Sequence, residues 1–349
     1  MATDYAKLSI PPYESLRLVA AALRRANYIL ITCGAGMSAD SGLHTYEDQP
    51  EEYKHFCDPF TLNRFPKQST AFWKAFSDKY KSAELHDGYK VLEKWLSPDD
   101  ATRHTLPNLI SYYCYTSNVD SLMRRISCFG GSEKKANLCE IHGYASKWVC
   151  ARRMGRDVNG KERMGESWGK FNGMVTEQKN ETSEHAARVE AAGLGPGDFC
   201  CGVPARPNVL MFNDTDSTVL KGIDAEMERY QAWEADVEDR VCGEDQQILV
   251  VLEIGCGLRV PSIRREGMEV LRDVHERGGG ERVNLVRLNL KDFDHVPGID
   301  LDVEEEVLER CFGLEGGAAH LLTMLDNEVT RIADEDSVTL LKNASCNDL

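Results

Sequence analysis

The sequence lacks any apolar run long enough to cross a membrane, since a helical span needs about 20 such residues. Its first residues, 1–7, lack the basic start and apolar core of a secretory signal. Basic residues are scarce as well: 41 Lys and Arg stand against 57 Asp and Glu, and the net charge is −16. Nonspecific nucleic-acid binding and attachment to anionic membranes both need a basic face. We therefore expect an intracellular protein, in the cytoplasm or nucleus, that binds neither nucleic acid nor membrane directly.

The sequence also lacks the paired C-x-x-C motifs of a typical zinc site. Its 12 cysteines are scattered, as is typical of buried or incidental thiols in a reducing compartment. One segment, 144–202, is rich in Gly, Lys, Arg and Glu, and is bracketed by Cys150, Cys200 and Cys201. We predict a small inserted module there. A module with so small a hydrophobic core usually needs a structural metal or a disulfide to be stable. Zinc held by these three cysteines, an incomplete site, is one hypothesis; packing without a metal is the alternative.

A glycine-rich turn follows the first apolar run of the chain. Tyr28 to Thr32 has strand-like composition, and Gly34-x-Gly36-x-x-Ala39 then fits the loose pattern of a phosphate loop. In such a loop, glycine lets the backbone approach a pyrophosphate, and the following amides donate their N–H groups to it. The sequence therefore predicts a phosphate-binding turn, with an ordinary glycine turn as the alternative.

Further apolar runs alternate with segments of helical periodicity. The predicted helices cover 14–26, 70–96, 222–241 and 316–333. The predicted strands cover Tyr28–Thr32, Leu109–Tyr115, Leu138–Ile141, Asn208–Phe212, Ile248–Ile254 and Val283–Leu288. Residues 44–66 show no clear periodicity, so we expect a long loop there that short helices could interrupt. The alternation predicts an α/β fold, a doubly wound parallel sheet with a ligand crevice along its carboxyl edge.

Polar residues stand where two of these strands end. Asn118 and Asp120 follow the second strand, and His142 follows the third. Side chains in such positions lie at the carboxyl edge, where open α/β sheets bind ligands. The alternatives are that Asn118 and Asp120 cap a following helix and that His142 is an ordinary surface histidine.

Several short blocks taken together resemble the sirtuin family. The blocks are Gly-Ala-Gly-Met-Ser-Ala-Asp-Ser-Gly-Leu (34–43), Thr-Ser-Asn-Val-Asp (116–120), Ile-His-Gly (141–143), Cys-Gly-x-x-x-Arg-Pro-Asn-Val (201–209) and Gly-Cys-Gly-Leu-Arg-Val-Pro (255–261). They occur in the family's order over roughly 14–310. The resemblance implies a Rossmann-like NAD-binding domain formed by 1–143 and 203–340, with the small module at 144–202 inserted in it. From its polar composition, 341–349 is expected to be a frayed tail.

The resemblance also implies a site for NAD. His142 would be the general base on a ribose hydroxyl, and Asn118 would orient the ribose and a water. Asp120 would hold the nicotinamide carboxamide, and Tyr46 would shield the reacting carbon. The cofactor-binding residues implied are Gly34, Ala35, Gly36, Ser38, Tyr46, Ser117, Asn118, Asp120, His142, Gly255, Cys256 and Asn289. Asn208, Val209 and Phe212 would bind the substrate, with Asn208 and Val209 pairing with its backbone by strand addition.

This chain departs from the family pattern at several of these blocks. Glu47 stands where the family has an arginine, and it reverses the charge near a pyrophosphate-bearing cofactor. Ser117 replaces a glutamine, and Cys256 and Gly257 replace a Thr-Ser pair. Arg153 and Asp198 occupy the places of two zinc cysteines. The chain therefore resembles a divergent member of the family.

The resemblance implies an enzyme, an NAD-dependent protein-lysine deacylase that acts on an acyl-lysine protein or peptide. The alternatives are an ADP-ribosyltransferase or NAD glycohydrolase on the same fold, and a catalytically weak NAD or ADP-ribose binding module. A Rossmann dehydrogenase is excluded because no second strand ends in an acidic residue about 20 residues after the glycines. A serine hydrolase is excluded because Ser38 is not in a G-x-S-x-G elbow. The acyl group, the target and the oligomeric state stay open.

Overall fold

The computed structural model describes residues 12–45, 47–49, 51–97, 104–130, 136–150, 195, 199–200, 203–243 and 246–347. Its helices are α1 (Pro12–Arg25), α2 (Gly36–Ala39), α3 (Glu51–Phe56), α4 (Pro59–Arg64), α5 (Pro66–Ser82), α6 (Asp87–Leu96), α7 (Ser217–Cys242), α8 (Ser262–Val274), α9 (Glu305–Leu308) and α10 (Ala318–Asn347). Its strands are β1 (Tyr28–Cys33), β2 (Ser111–Thr116), β3 (Leu138–Glu140), β4 (Gly143–Cys150), β5 (Phe199–Cys200), β6 (Val203–Val209), β7 (Leu249–Ile254), β8 (Val283–Asn289) and β9 (Cys311–Glu315).

Six of these strands form one parallel sheet in the order β3-β2-β1-β7-β8-β9. Tyr28 at the start of β1 lies opposite Ser111 of β2 on one side and Leu249 of β7 on the other. The chain leaves β1 in one direction along the sheet and later returns to add β7 on its other side. The prediction of a doubly wound α/β fold is confirmed, and the topological switch point, where such sheets bind ligands, lies between β1 and β7.

Helices cover both faces of this sheet. On one face, α1, α6 and α10 pack Leu23, Leu92 and Leu322 against the β1 residues Ile29 and Ile31. On the other face, α7 and α8 pack against the alternate residues of the same strands. Burial on both faces explains why β1 and β7 are apolar along their length. Within the described part of the chain, no helix is both long and apolar enough to cross a bilayer.

One carboxylate, Glu253, interrupts the apolar strand β7, and the structure shows how its charge is balanced. The Arg287 Nε donates to the Glu253 Oε1 at 2.6 Å, and the Arg264 Nε donates to the Asp300 Oδ1 at 2.7 Å. A second bond, from Arg287 Nη1 to Asp300 at 3.1 Å, joins the two pairs. All four side chains are buried, and two positive charges face two negative ones, as buried ions require.

A second, antiparallel sheet of order β4-β6-β5 begins at Gly143. Ala145 and Trp148 of β4 are buried in the core of the large sheet, together with Val209 of β6. Most of the proposed inserted module, 151–194, 196–198 and 201–202, lies outside the described residues, so its boundaries stay a prediction.

The structure corrects several predicted boundaries. The strand expected at Asn208–Phe212 ends at Val209, because Asp214 accepts hydrogen bonds from the amides of Met211 and Asp216 and closes a turn there. The helix expected over 70–96 is two helices, and the second begins where the His86 side chain accepts from the Gly88 amide. Several elements were not predicted, among them α8, the edge strand β9 and the strand β4. α10 runs to Asn347, past its predicted end at 333.

Three glycines make a close backbone contact at the switch point. A Cβ atom on Gly36 would lie 2.7 Å from the Cα of Gly255, and one on Gly34 would lie 2.6 Å from the Gly255 carbonyl oxygen. The Gly36 amide donates to that same oxygen at 2.9 Å. Gly255 itself has a φ of +64°, which side-chain-bearing residues rarely adopt. Glycine is therefore required on both sides of this contact.

We expect Gly36→Ala to destabilise the protein by about 1–3 kcal/mol, the usual effect of inserting an atom into a packed interior. The new Cβ would meet backbone, which cannot rotate away. Gly257→Ala is the matched control, because a Cβ there meets nothing within 4 Å. It should change stability by less than about 0.5 kcal/mol. Calorimetric unfolding of the three proteins compares them, and equal effects of the two substitutions would contradict the role of the contact.

Candidate functional site

A buried polar cluster lies at the carboxyl ends of β1 and β2. The Ser38 hydroxyl donates to Oδ2 of Asp120 at 2.6 Å. The Asn118 Nδ2 atom donates to the Gly34 carbonyl oxygen at 2.9 Å and lies 3.3 Å from the Ser38 Oγ. The Tyr89 hydroxyl of α6 lies 3.1 Å from the same Oγ. Four of the residues predicted for a cofactor site, Gly34, Ser38, Asn118 and Asp120, are thus brought into direct contact.

The hydrogen-bonding capacity of Ser38 is fully used in this cluster. A serine hydroxyl has one proton to donate and two lone pairs to accept with. Its proton goes to Asp120, so Asn118 and Tyr89 must donate to it. A ligand that bonds to Ser38 has to displace one of these partners.

The backbone at the strand ends fixes the side chains of this cluster. The Thr116 hydroxyl donates to the Cys33 carbonyl oxygen at 2.9 Å and accepts from the Asn118 amide at 3.1 Å. The Leu122 amide donates to Oδ1 of Asp120 at 2.8 Å. Burial raises the pKa of Asp120, while the bonds from Ser38 and the Leu122 amide act in the opposite direction. Asp120 is thus an anchored carboxyl group whose charge the site disfavours.

His142 lies at the end of β3, the next strand of the sheet. It is half-buried, and burial lowers its pKa from the ordinary value of 6.5, although a hydrogen bond with the Ser117 backbone acts the other way. The imidazole is therefore neutral at neutral pH. A neutral imidazole with one nitrogen held by the chain has its other nitrogen available to accept a proton.

A buried ion network holds the chain just before His142. Arg124 bonds to the carboxylates of Glu140 and Glu226, and the Glu226 Oε2 accepts from the Glu140 amide at 2.9 Å. The guanidinium of Arg124 also lies 4.1 Å from the ring centroid of Tyr144, within cation–π distance. Burial raises the pKa of Glu140 to about 8, against the opposing effect of Arg124. The network joins the segment after Asp120 to both sides of His142.

The residues predicted for the adenosine part lie at the ends of β7 and β8. The Asn289 Nδ2 donates to the Cys256 carbonyl oxygen at 2.9 Å, so these two residues are in contact. The Cys256 thiol is buried, lies 3.5 Å from the Ile254 carbonyl oxygen, and has a pKa raised by burial. Only the backbone of Cys256, not its thiol, can therefore face a ligand. Gly255 lies against Gly36, as described above.

The predicted substrate residues lie where β6 meets β4. Asn208 and Val209 pair with Tyr144 and Gly143, and the Val209 carbonyl oxygen also accepts from Arg206 Nη2 at 2.8 Å. Phe212 is half exposed, and its amide donates to the Cys57 carbonyl oxygen at 3.0 Å.

The adjacent amides are also engaged: Leu210 donates to His142 and Met211 to Asp214. The backbone groups on which strand addition would depend are therefore fewer than the sequence suggests.

Some predicted site residues lie outside the described part of the chain. Tyr46 and Cys201 are among them, and only the backbone of Cys150 and Cys200 is described. Among the described side chains, no group of three or more His, Cys, Asp or Glu could hold a metal ion. Zinc stays a prediction.

A cavity of about 690 Å³ opens next to the residues that follow α2. It is lined by the ends of α2, α5 and α6, including Asp40, Lys79 and Lys90, and by none of the predicted site residues. His86 lines it as well, and its Nε2 lies 2.7 Å from the Met37 carbonyl oxygen of α2. The chemistry-bearing side chains are at the strand ends, so we place the candidate site there.

Two features of the site were not predicted. Tyr89 reaches Ser38 from α6, and only its place on the buried side of a predicted helix marks it in the sequence. Arg259, in the loop after β7, forms an ion pair with Glu47, with Nε and Oε1 3.8 Å apart. The sequence does hold a signal for Arg259, because it is the only Lys or Arg in 255–261.

The six-stranded parallel sheet and its covering helices define the class as a Rossmann-like α/β protein, with the candidate site at the carboxyl edge of the sheet. Its fold is similar to that of a solved Sir2 homologue in complex with NAD, with 16% sequence identity, 90% of this chain and 94% of that chain covered, and a TM-score of 0.51.

It is equally similar to a serine-to-alanine mutant of a Sir2 homologue in complex with ADP-ribose, with 16% identity, coverage of 91% and 97%, and a TM-score of 0.51. No protein-family model and no curated protein sequence matches the chain. The chain therefore has a sirtuin-like fold, and at this identity the likeness establishes the fold alone.

We expect Ser38→Ala to destabilise the protein, because Asp120, Asn118 and Tyr89 would each lose a partner in a buried site. Groups left unsatisfied in this way cost about 1–3 kcal/mol. Ser41→Ala is the matched control, since the buried Ser41 hydroxyl has no hydrogen-bond partner among the described residues. Thermal unfolding should separate the two variants, and an unchanged melting temperature for Ser38→Ala would contradict the hydrogen-bond assignment.

Proposed function

We propose that this protein is an NAD-dependent protein-lysine deacylase of sirtuin type. In this reaction the nicotinamide–ribose bond of NAD is cleaved and the acyl group of a modified lysine passes to ADP-ribose. The observation that carries the proposal is the meeting of Gly34, Ser38, Asn118 and Asp120 in one cluster at the carboxyl ends of β1 and β2, with His142 at the next strand end. The sirtuin-like fold, and the NAD and ADP-ribose in the two similar structures, support a ligand of the same class.

The residues present fit such a nucleotide. Gly34, Ala35 and Gly36 put no large side chain into the turn, although the amides of Gly34 and Gly36 are bonded within the protein. NAD, when bound, supplies the activated nicotinamide–ribose bond. His142 takes a proton at its ring nitrogen, which burial keeps neutral. Asn118 and Asp120 hold polar groups of the ligand in fixed positions, since Thr116 holds the Asn118 backbone amide and the Leu122 amide holds the Asp120 carboxylate.

A second function, an ADP-ribosyltransferase or NAD glycohydrolase, uses the same site without a bound acyl-peptide. The engaged amides of Leu210, Met211 and Phe212 favour it, because they leave fewer donors for a peptide strand. A module that binds NAD or ADP-ribose without turnover is the remaining alternative. The deacylase, the transferase or glycohydrolase, and the binding module differ in the conditions under which nicotinamide is released from NAD.

We expect nicotinamide to be released from NAD when the protein is given an acyl-lysine peptide, with a deacylated peptide and an acyl-ADP-ribose formed in equal amounts. Mass spectrometry of reactions with and without a panel of acyl-peptides measures this. Release without peptide would identify a glycohydrolase, and added mass on protein a transferase. No release under any condition would leave only the binding module.

His142→Ala should lower the rate of nicotinamide release by about 100-fold or more, the usual range for loss of a general base. NAD affinity, measured by calorimetry, should change little, because the base acts on the reacting ribose. His104→Ala is the control, since His104 is exposed and contacts Asp334 at the amino end of the sheet. Turnover that survives His142→Ala would show that another group is the base.

The rate of nicotinamide release should rise with pH as His142 loses its proton. The base acts in its neutral form, so activity rises with pH through this pKa and is constant above it. Because burial lowers the pKa, the midpoint of the acidic limb should lie below 6.5. Initial rates between pH 5 and 9 test this, and a midpoint above 6.5 would contradict the assigned environment.

A further inference from the structure

The turn after β1 lacks a cation, although an anionic ligand would lie beside it. No Lys or Arg occurs between Gly34 and Pro50, and the acidic residues there are Asp40, Glu47 and Asp48. Asp40 accepts from the Ala319 amide of α10 at 2.8 Å, and Asp48 accepts from Thr45 at 2.6 Å. Two of the three carboxylates are thus engaged in the protein's own structure, and the third is Glu47.

The helix that follows the turn offers little compensation for an anion. α2 has only four residues, so its dipole is small. Its first amides are already engaged: Gly36 donates to Gly255, Met37 to Gly34, and Ser38 to Ala35. A diphosphate at this turn therefore needs positive charge from another segment.

Arg259 is the cation that the fold brings to this place. It lies four residues after Gly255, which contacts Gly36, and it pairs with Glu47, eleven residues after Gly36. The ion pair therefore joins the two loops on either side of the switch point. Among the described residues, neither side chain makes another ion pair or hydrogen bond.

This ion pair is exposed and easily exchanged. The side chains of Arg259 and Glu47 are 67% and 60% exposed, and their closest atoms are 3.8 Å apart, beyond hydrogen-bond distance. Exposed pairs of this kind contribute little to stability. A diphosphate offers the guanidinium two oxygen atoms in a bidentate geometry and more charge than one carboxylate.

We propose that Arg259 binds the diphosphate of a dinucleotide ligand, and that Glu47 is the ion-pair partner that holds Arg259 across the crevice until the ligand replaces it. The inference rests on the proposed NAD function and names a phosphate-binding residue of that site. On ligand binding, the Arg259–Glu47 pair breaks and an Arg259–phosphate pair forms. Glu47 then faces solvent.

The test is a calorimetric titration of ADP-ribose, and separately of adenosine, into the full-length protein and its variants at low salt. Arg259→Gln should weaken ADP-ribose binding by about tenfold or more, as loss of a charged hydrogen bond does. Glu47→Gln should tighten it by about two- to fivefold, because the competing carboxylate is removed. Adenosine, which lacks phosphate, should bind all variants equally.

Arg265→Gln is the matched control, because it removes the same charge six residues further on. Arg265 is exposed and bonds to the Ile299 carbonyl oxygen, so its loss should leave ADP-ribose binding unchanged. Wild-type affinity in Arg259→Gln, or equal losses in Arg259→Gln and Arg265→Gln, would overturn this inference alone. Absence of ADP-ribose and NAD binding by the wild-type protein would overturn the proposed function together with it.

Discussion

The candidate site depends on one contact, the backbone of Gly34 and Gly36 against that of Gly255. It lets the turns after β1 and β7 touch without side chains between them. Parallel strands 4.7–4.9 Å apart bring their carboxyl ends together, but side chains at these positions would force the turns apart. The Gly36 amide bonds across the contact to Gly255, so the geometry is fixed as well as close. The contact therefore fixes the two turns that carry Ser38 of the polar cluster and the Glu47–Arg259 ion pair.

The polar cluster has a consequence for any ligand. Ser38 donates once and accepts twice, so it is a structural centre as much as a binding group. Buried polar networks of this kind stabilise one arrangement when every member is satisfied. A ligand at this edge has to exchange one of these bonds for its own, because both amide hydrogens of Asn118 are already donated, to Gly34 and to Ser38. Specificity at the site is thus a difference between two sets of hydrogen bonds.

The strands of the large sheet could be predicted because burial on both faces makes them continuous apolar runs, as in β1 and β7. The positions of Asn118, Asp120 and His142 at the carboxyl edge could also be predicted, because the carboxyl ends of parallel strands lie along the same edge of a sheet. β9 could not be predicted in this way, because it is a short, half-exposed edge strand with Gly313 in it. α8 does carry buried apolar residues at helical spacing, Ile263, Met268, Leu271 and Val274, so the sequence held a signal for it that was missed. Tyr89 and Ser38, in contrast, meet from separate segments, and such pairings leave no periodic signal.

Glu47 shows how such a pairing changes the interpretation of a residue. From the sequence, it places a negative charge near a pyrophosphate-bearing cofactor, which argues against cofactor binding. In the fold its charge is opposed by Arg259, which belongs to a loop more than two hundred residues later, so the charge of Glu47 itself is balanced, although Asp40 and Asp48 leave the two loops together negative. The electrostatics of the crevice are therefore a property of the β1 and β7 loops jointly. A cation missing from one loop of a doubly wound fold can be supplied by its neighbour across the switch point, because the sheet brings both to the same anion.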